Sequence, residues 1–161
     1  MAKQKVDQEP VVRSIFKLIA TFFYIGEVPF APGTAASFAG LLLYISLSGN
    51  PFAGSVVFAI LLIFGFISSS AAERIFSRKD PPQVVIDEVC GIFIVFFGVP
   101  LHIISIILGF LVYRIFDIIK PPPAKVLERL KGGYGIMLDD LLCGFYANLI
   151  LRILMKANIL Y

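Results

Sequence analysis

The chain has 161 residues, the length of one domain, and 58% of them are apolar. That share, above the about 45–50% of ordinary soluble domains, and a mean hydropathy of +0.90 favour a bilayer protein over a soluble bundle with a large core. A net charge of +3 and a pI near 8.9 suit an anionic membrane surface and give no footing for nucleic-acid binding.

Residues 1–10 are polar, lack a cleavable signal pattern and read as a disordered tail. Residues 11–161 read as a single membrane-embedded domain. Within it, residues 11–25 predict an amphipathic helix with Arg13 and Lys17 on its polar side. It is too short and too charged to span, which places it at the interface. "GEVPFAPGTAAS" (26–37) predicts a shaped Gly/Pro loop. Thr34 or Ser37 is then the cap of the next helix, whose first N–H groups offer an anion site.

Residues 37–47 and 54–71 are apolar and joined by "SGNP"; residues 72–82 are polar. Residues 89–99 and 101–119 are apolar on either side of Pro100, and "KPPPAKVLERLKGGYG" is polar and rich in Pro and Gly. A last apolar helix runs over 141–154, weakened by Arg152. Several runs fall short of the about 20 residues of a full span. The predicted fold is therefore all-α: an integral membrane bundle of short or tilted helices, two hairpins and a final helix, with an interfacial helix in front. Lys and Arg concentrate at the N-terminus and in 72–82 and 120–131, so the positive-inside rule puts these three on the cytoplasmic side. Cys90 and Cys143 lie in apolar runs without CxxC spacing and read as packing residues in a reducing compartment. His102, at a charge-poor turn, reads as structural. No motif fixes an oligomeric state.

The chemistry lies in the acids. "VVIDEVCG" sets Asp87 beside Glu88, and "GIMLDDLLCG" sets Asp139 beside Asp140. Glu27, Asp80 and Asp117 fall on the same predicted side. Adjacent carboxylates repel and resist desolvation. Coordination of Mg²⁺, which uses carboxylates and substrate phosphate, accounts for their clustering. Acids in the first turn of a helix are also favoured by the macrodipole; two pairs plus Asp117 exceed what that explains. In "YRIFDIIKPPP", Arg114, Asp117 and Lys120 are three apart, within about 120° of helix arc. The two cations suit phosphate oxygens, with snorkelling to headgroups as the plainer alternative. Other phosphatase chemistries lack their signatures: no Cys is followed by a phosphate-binding Arg, there is one His, and neither Asp-x-Asp nor a P-loop occurs.

"GEVPFAPGTAAS", "VVIDEVCG", "YRIFDIIKPPP" and "GGYGIMLDDLLCGFYA" occur in that order over residues 26–147. Together they resemble phosphatidylglycerophosphatase A. Two positions depart from that family's pattern: Ala36 stands where Gly is expected, and "KPPP" where Lys-Pro-aromatic-Pro is expected. The resemblance implies a Mg²⁺-dependent enzyme of the bacterial inner membrane, with its site facing the cytoplasm. It would cleave the terminal phosphate of phosphatidylglycerophosphate, leaving phosphatidylglycerol.

On this reading Asp87, Glu88, Asp139 and Asp140 hold the ion, with Asp80 and Asp117 beside them. Glu88 serves as general base, Arg114 and Lys120 balance phosphoryl charge, and Gly33 and Thr34 hold phosphate oxygens. Attack by water and attack by an aspartate are both open routes. Two rivals are a non-catalytic subunit binding anionic lipids and a phospho-alcohol transferase. The Asp-Gly-x-x-Ala-Arg signature of the latter is absent.

Overall fold

The computed structural model describes residues 9–158, and among these every regular element is helical. Most of the tail expected at 1–10 lies outside the described residues. Pro10 opens α1 (Pro10–Ala20), where its fixed φ suits the first helical turn. The helix expected to reach residue 25 stops at Ala20. Phe22, Phe23 and Tyr24 all take positive φ, which no right-handed helix can continue. Thr21 organises this corner. Its hydroxyl donates to the Lys17 carbonyl (2.8 Å) and accepts from the Tyr24 N–H (3.1 Å). A single 3-10 turn (Ile25–Glu27) follows.

α2 (Pro32–Leu47) begins five residues earlier than expected, because Pro32 supplies the first helical φ and Ala31 takes the left-handed conformation in front of it. The cap is therefore Ala31, without a side-chain bond, and neither Thr34 nor Ser37 caps the helix. α3 (Pro51–Ile75) is capped by Asn50, whose Oδ1 accepts from the Ala53 N–H at 3.1 Å. α4 (Ile86–Phe96) and α5 (Ile103–Ile119) flank a turn in which His102 and Ser105 form a reciprocal cap. A short α6 (Ala124–Leu127) leads to α7 (Gly133–Lys156). α7 starts eight residues before the expected 141. The glycines that read as breakers allow close approach instead.

The hairpin partners adjacent in sequence are not the main packing partners. Beyond its first turn α4 is apolar around its whole circumference; the helix buries nine of its eleven residues and packs chiefly against α7 and α2. The α4–α7 crossing is close: a methyl on Gly144 would lie 2.5 Å from the Gly91 carbonyl oxygen. Asn148 of α7 fastens the far end, donating to the carbonyls of Val95 (2.8 Å) and Phe97 (3.0 Å).

At the near end, Arg13 of α1 reaches the Ile75 carbonyl (3.1 Å), and the Val85 N–H bonds the Ala20 carbonyl (2.9 Å). The Gly133 N–H bonds Ser70 Oγ at 2.8 Å. These ties gather the start of the chain, the end of α3 and the starts of α4 and α7 at one pole. α3 is the one helix among the described residues long and apolar enough to cross a membrane, and only 17% of its apolar window is buried.

Candidate active site

Four helices deliver polar groups to that pole. α4 contributes Asp87 and Glu88 in its first turn. α7 contributes Asp139 and Asp140 from two turns inside the helix, beyond the reach of the N-terminal dipole. α5 contributes Tyr113, Arg114 and Asp117 from its last turns and Lys120 as its left-handed C-cap. The first turn of α2 contributes Gly33, whose N–H has no intrahelical acceptor. The acids are deep: Asp87, Asp139 and Asp140 are 7%, 1% and 2% exposed. Glu88 is partly exposed as a residue, but its Oε2 is buried.

Asp87, Glu88 and Asp140 converge, each offering an oxygen within 4.8 Å of the others. Asp87 Oδ1 and Glu88 Oε2 have no hydrogen-bond donor. Tyr113 donates its hydroxyl to Asp140 Oδ2 at 2.9 Å and so fixes that carboxylate. Arg114 pairs with Asp117 at 2.6 Å and donates to Ser37 Oγ at 3.2 Å, while its buried Nε stays unpartnered. Ser37 in turn donates to the Gly33 carbonyl at 2.8 Å, tying α2 to Arg114. Gly33 lies against the Glu88 carboxylate and Arg114, so a Cβ there would collide with Glu88 Oε1.

Asp139 turns away from the triad and pairs with Lys120, which also stands 3.9 Å from Glu128. Adjacent helical residues point about 100° apart, so Asp139 and Asp140 face different neighbours. Asp80, in a left-handed loop conformation, stands at the rim, close enough for its charge to act on Asp139. Thr34 is exposed on the first turn of α2. Glu27 is engaged elsewhere, with Lys17 at 2.5 Å.

The electrostatics follow from depth. Five carboxyls face the two cations Arg114 and Lys120. Burial, then the charge of Glu88, pushes Asp87 well above the ordinary carboxylate range. Burial raises Glu88 to about 7, against the lowering effects of Asp87's hydrogen bond and Arg114. Asp140 is raised by burial and then by Asp117 and Glu88. Asp139 rises to about 6, burial outweighing its bond to Lys120. Protons held by these acids are ones a divalent cation would replace. Orphaned carboxylate oxygens at close range, all hard donors, fit Mg²⁺. Cys90 and Cys143 are buried and free, and burial drives both thiols upward, against any nucleophilic role.

The sequence reading missed Tyr113 and the link from Ser37 to Arg114. Tyr113 had a signal, since it lies four residues before Asp117 and thus on the same helix face. Ser37 had none, because its partner is 77 residues away.

The family described as Phosphatidylglycerophosphatase A matches residues 18–155. A Bacteroides thetaiotaomicron protein, provisionally named a phosphatidylinositol-3-phosphatase, is 36% identical over 84% of this chain and 91% of its own. The Phosphatidylglycerophosphatase A of Haemophilus influenzae is 34% identical over 83% of this chain and 84% of its own. That of Escherichia coli is 29% identical, over 79% and 76% respectively. No solved structure gives a significant match. With a family match spanning all four motifs and the whole acidic cluster, the chain belongs to the phosphatidylglycerophosphatase A family and is a phosphatase.

Proposed function

We propose that this protein is a Mg²⁺-dependent membrane enzyme that hydrolyses phosphatidylglycerophosphate to phosphatidylglycerol and inorganic phosphate at the cytoplasmic face of a bacterial inner membrane. The observation that carries the reading is the buried triad Asp87–Glu88–Asp140, with two donorless oxygens, beside an arginine whose Nε is also unpartnered.

The outer surface supports the membrane placement. Ile104, Ile107, Leu111, Ile115 and Ile118 form an exposed stripe along α5, at spacings of three and four residues. Phe52, Val56, Ile60, Ile63 and Ile67 do the same on α3. Contiguous apolar faces of this kind mark a membrane or partner, and two on different helices suit lipid. α3 is read as the crossing helix and the shorter helices as entering part of the bilayer.

Asp87, Glu88 and Asp140 would hold the ion, which supplies positive charge against the phosphoryl oxygens and makes a neighbouring water more acidic. Tyr113 keeps Asp140 oriented. Glu88, the member of the triad that is partly exposed, accepts the water's proton with the carboxylate oxygen that the ion leaves free. Arg114 donates to the phosphoryl group from Nε, held in place by Ser37 and Asp117. The free N–H of Gly33 adds a backbone donor at the start of α2. Lys120 and Asp139 stand beside the triad as a charge pair. The phosphatase family sets aside the non-catalytic lipid-binding alternative. The headgroups in the relatives' names, glycerophosphate and inositol 3-phosphate, each carry a terminal phosphomonoester beyond a phosphodiester.

The test is phosphate release from phosphatidylglycerophosphate in detergent micelles across a Mg²⁺ titration, with phosphatidylinositol 3-phosphate as a parallel substrate. Saturable, chelator-sensitive release from the first, faster than from the second, is expected. A reversed preference would reassign the substrate, and no release from either would end the reading.

A further inference from the structure

A polar pocket opens beside the Lys120–Asp139 pair. It is a cavity of about 410 Å³ lined by Arg78, Lys79, Asp80, Lys125, Glu128 and Arg129. It lies between the turn after α3 and α6. The turn is bent into shape by two left-handed residues, Ser77 and Asp80, with the Asp80 N–H donating to Glu73 Oε1 at 3.3 Å. The four cations outnumber the two acids. None of the four makes an ion pair among the described residues.

One of the acids is already engaged, since Glu128 faces Lys120 at 3.9 Å. Lys120 is the residue bonded to Asp139, so the pocket starts one side chain away from the acidic cluster. Exposed aliphatic residues are its neighbours in the chain. Val126 on α6, Leu130 in the turn after it, and Ile118 and Ile119 at the end of α5 are 59%, 42%, 74% and 65% exposed. Basic side chains that alternate along the chain with exposed aliphatic ones match the junction between a lipid's headgroup and its chains.

We propose that this pocket binds the internal phosphodiester of the substrate headgroup while the triad receives the terminal phosphomonoester. This rests on the lipid-phosphatase reading above. The two phosphates differ in chemistry. The monoester carries up to two charges and must reach the buried acids and Arg114. The diester carries a single fixed charge, stays bonded to the diacylglycerol and is not cleaved. Exposed arginine forks suit it, because they hold a phosphate bidentately without deep desolvation. Held there, with the exposed Val126 and Leu130 next to Lys125 and Arg129 in the chain, the diester leaves the acyl chains in lipid. The pocket therefore acts as a specificity element: it selects lipids carrying a diester a short spacer away from the phosphate to be removed.

The test uses the full chain in neutral-detergent micelles with Mg²⁺, comparing wild type with Arg78→Ala/Arg129→Ala, a change of two exposed side chains. Direct binding is measured for phosphatidylglycerol, which has only the diester, and for inorganic phosphate, which probes the triad. The variant should bind phosphatidylglycerol about tenfold more weakly, the size expected from two partly screened charge contacts, and bind inorganic phosphate as the wild type does. KM for phosphatidylglycerophosphate should rise by a similar factor with kcat within about twofold.

Unchanged phosphatidylglycerol binding, or equal losses for both probes, overturns the proposal. So does a loss that appears only when a second anionic lipid is added to the micelles, since the pocket would then read a neighbouring lipid. If the wild type releases no phosphate, the reading of the reaction fails, while the two binding measurements still decide what the pocket holds.

Discussion

Replacing Asp140 with Asn separates charge from shape at the heart of the site. An asparagine oxygen still accepts the Tyr113 hydroxyl, so the 2.9 Å bond that fixes the side chain survives. What disappears is one of the three carboxylates proposed to hold the ion and its repulsion with Asp117, Glu88 and Asp139, the charges that raise Asp140. The two consequences have opposite signs. Without metal, the variant should be as stable as the wild type or more so, by up to roughly 1–2 kcal/mol, because a buried charge conflict is removed.

With metal, the wild type at a hundredfold excess over Kd gains about 2.7 kcal/mol. For a domain of this size that is a rise in Tm of roughly 5–10 °C. The variant should gain less than a third of that, and its turnover should fall by about 10²-fold or more. Thermal unfolding in detergent with and without Mg²⁺, alongside phosphate release, reads all three. A variant that keeps the full Mg²⁺ shift and turns over within about threefold of wild type would refute the assignment of Asp140 to the ion.

Three further outcomes follow from the same geometry. Glu88 is raised from 4.5 to about 7 and Asp139 from 3.8 to about 6. The metal-free native state therefore holds more protons than the unfolded chain across that window. Its stability should be fullest below about pH 4 and fall as pH rises towards 7, by up to about 1.4 kcal/mol per pH unit per proton; saturating Mg²⁺ should flatten the fall, and a metal-free stability that climbs over this range would contradict it. Gly33→Ala pushes a methyl into the far end of the Glu88 side chain, so unfolding stability should change little, by about 1 kcal/mol, while kcat drops at least about tenfold; wild-type turnover would place Glu88 outside the reaction. Gly144→Ala meets backbone instead, at the Gly91 carbonyl, and should cost about 2–4 kcal/mol of stability, seen as lower expression and a lower Tm with kcat retained in the folded fraction.

The sequence exposed the apolar runs, the paired acids and the Arg114–Lys120 segment, because these are local signals. It misplaced the element starts wherever glycine and proline served packing rather than interruption. Pro32 opens α2, and Gly133 and Gly135 sit inside α7. The division of labour within "DD" was recoverable in principle, since neighbours on a helix diverge. Which of the two turns to the triad depends on how α7 is rotated against α4, and the close Gly91–Gly144 crossing sets that rotation. The link from α2 to Arg114 through Ser37 joins residues far apart in the chain and has no local trace. The basic pocket was visible only as two unrelated polar loops until the fold set them beside each other.

The central claim is that Asp87, Glu88 and Asp140, brought from two helices, hold one divalent ion for phosphate removal. Crystals of the protein soaked with Mn²⁺ in place of Mg²⁺ test it most directly through anomalous scattering. The account predicts one peak in contact with carboxylate oxygens of those three residues, lost in Asp140→Asn. A peak elsewhere, or none at metal concentrations that sustain full turnover, would contradict it.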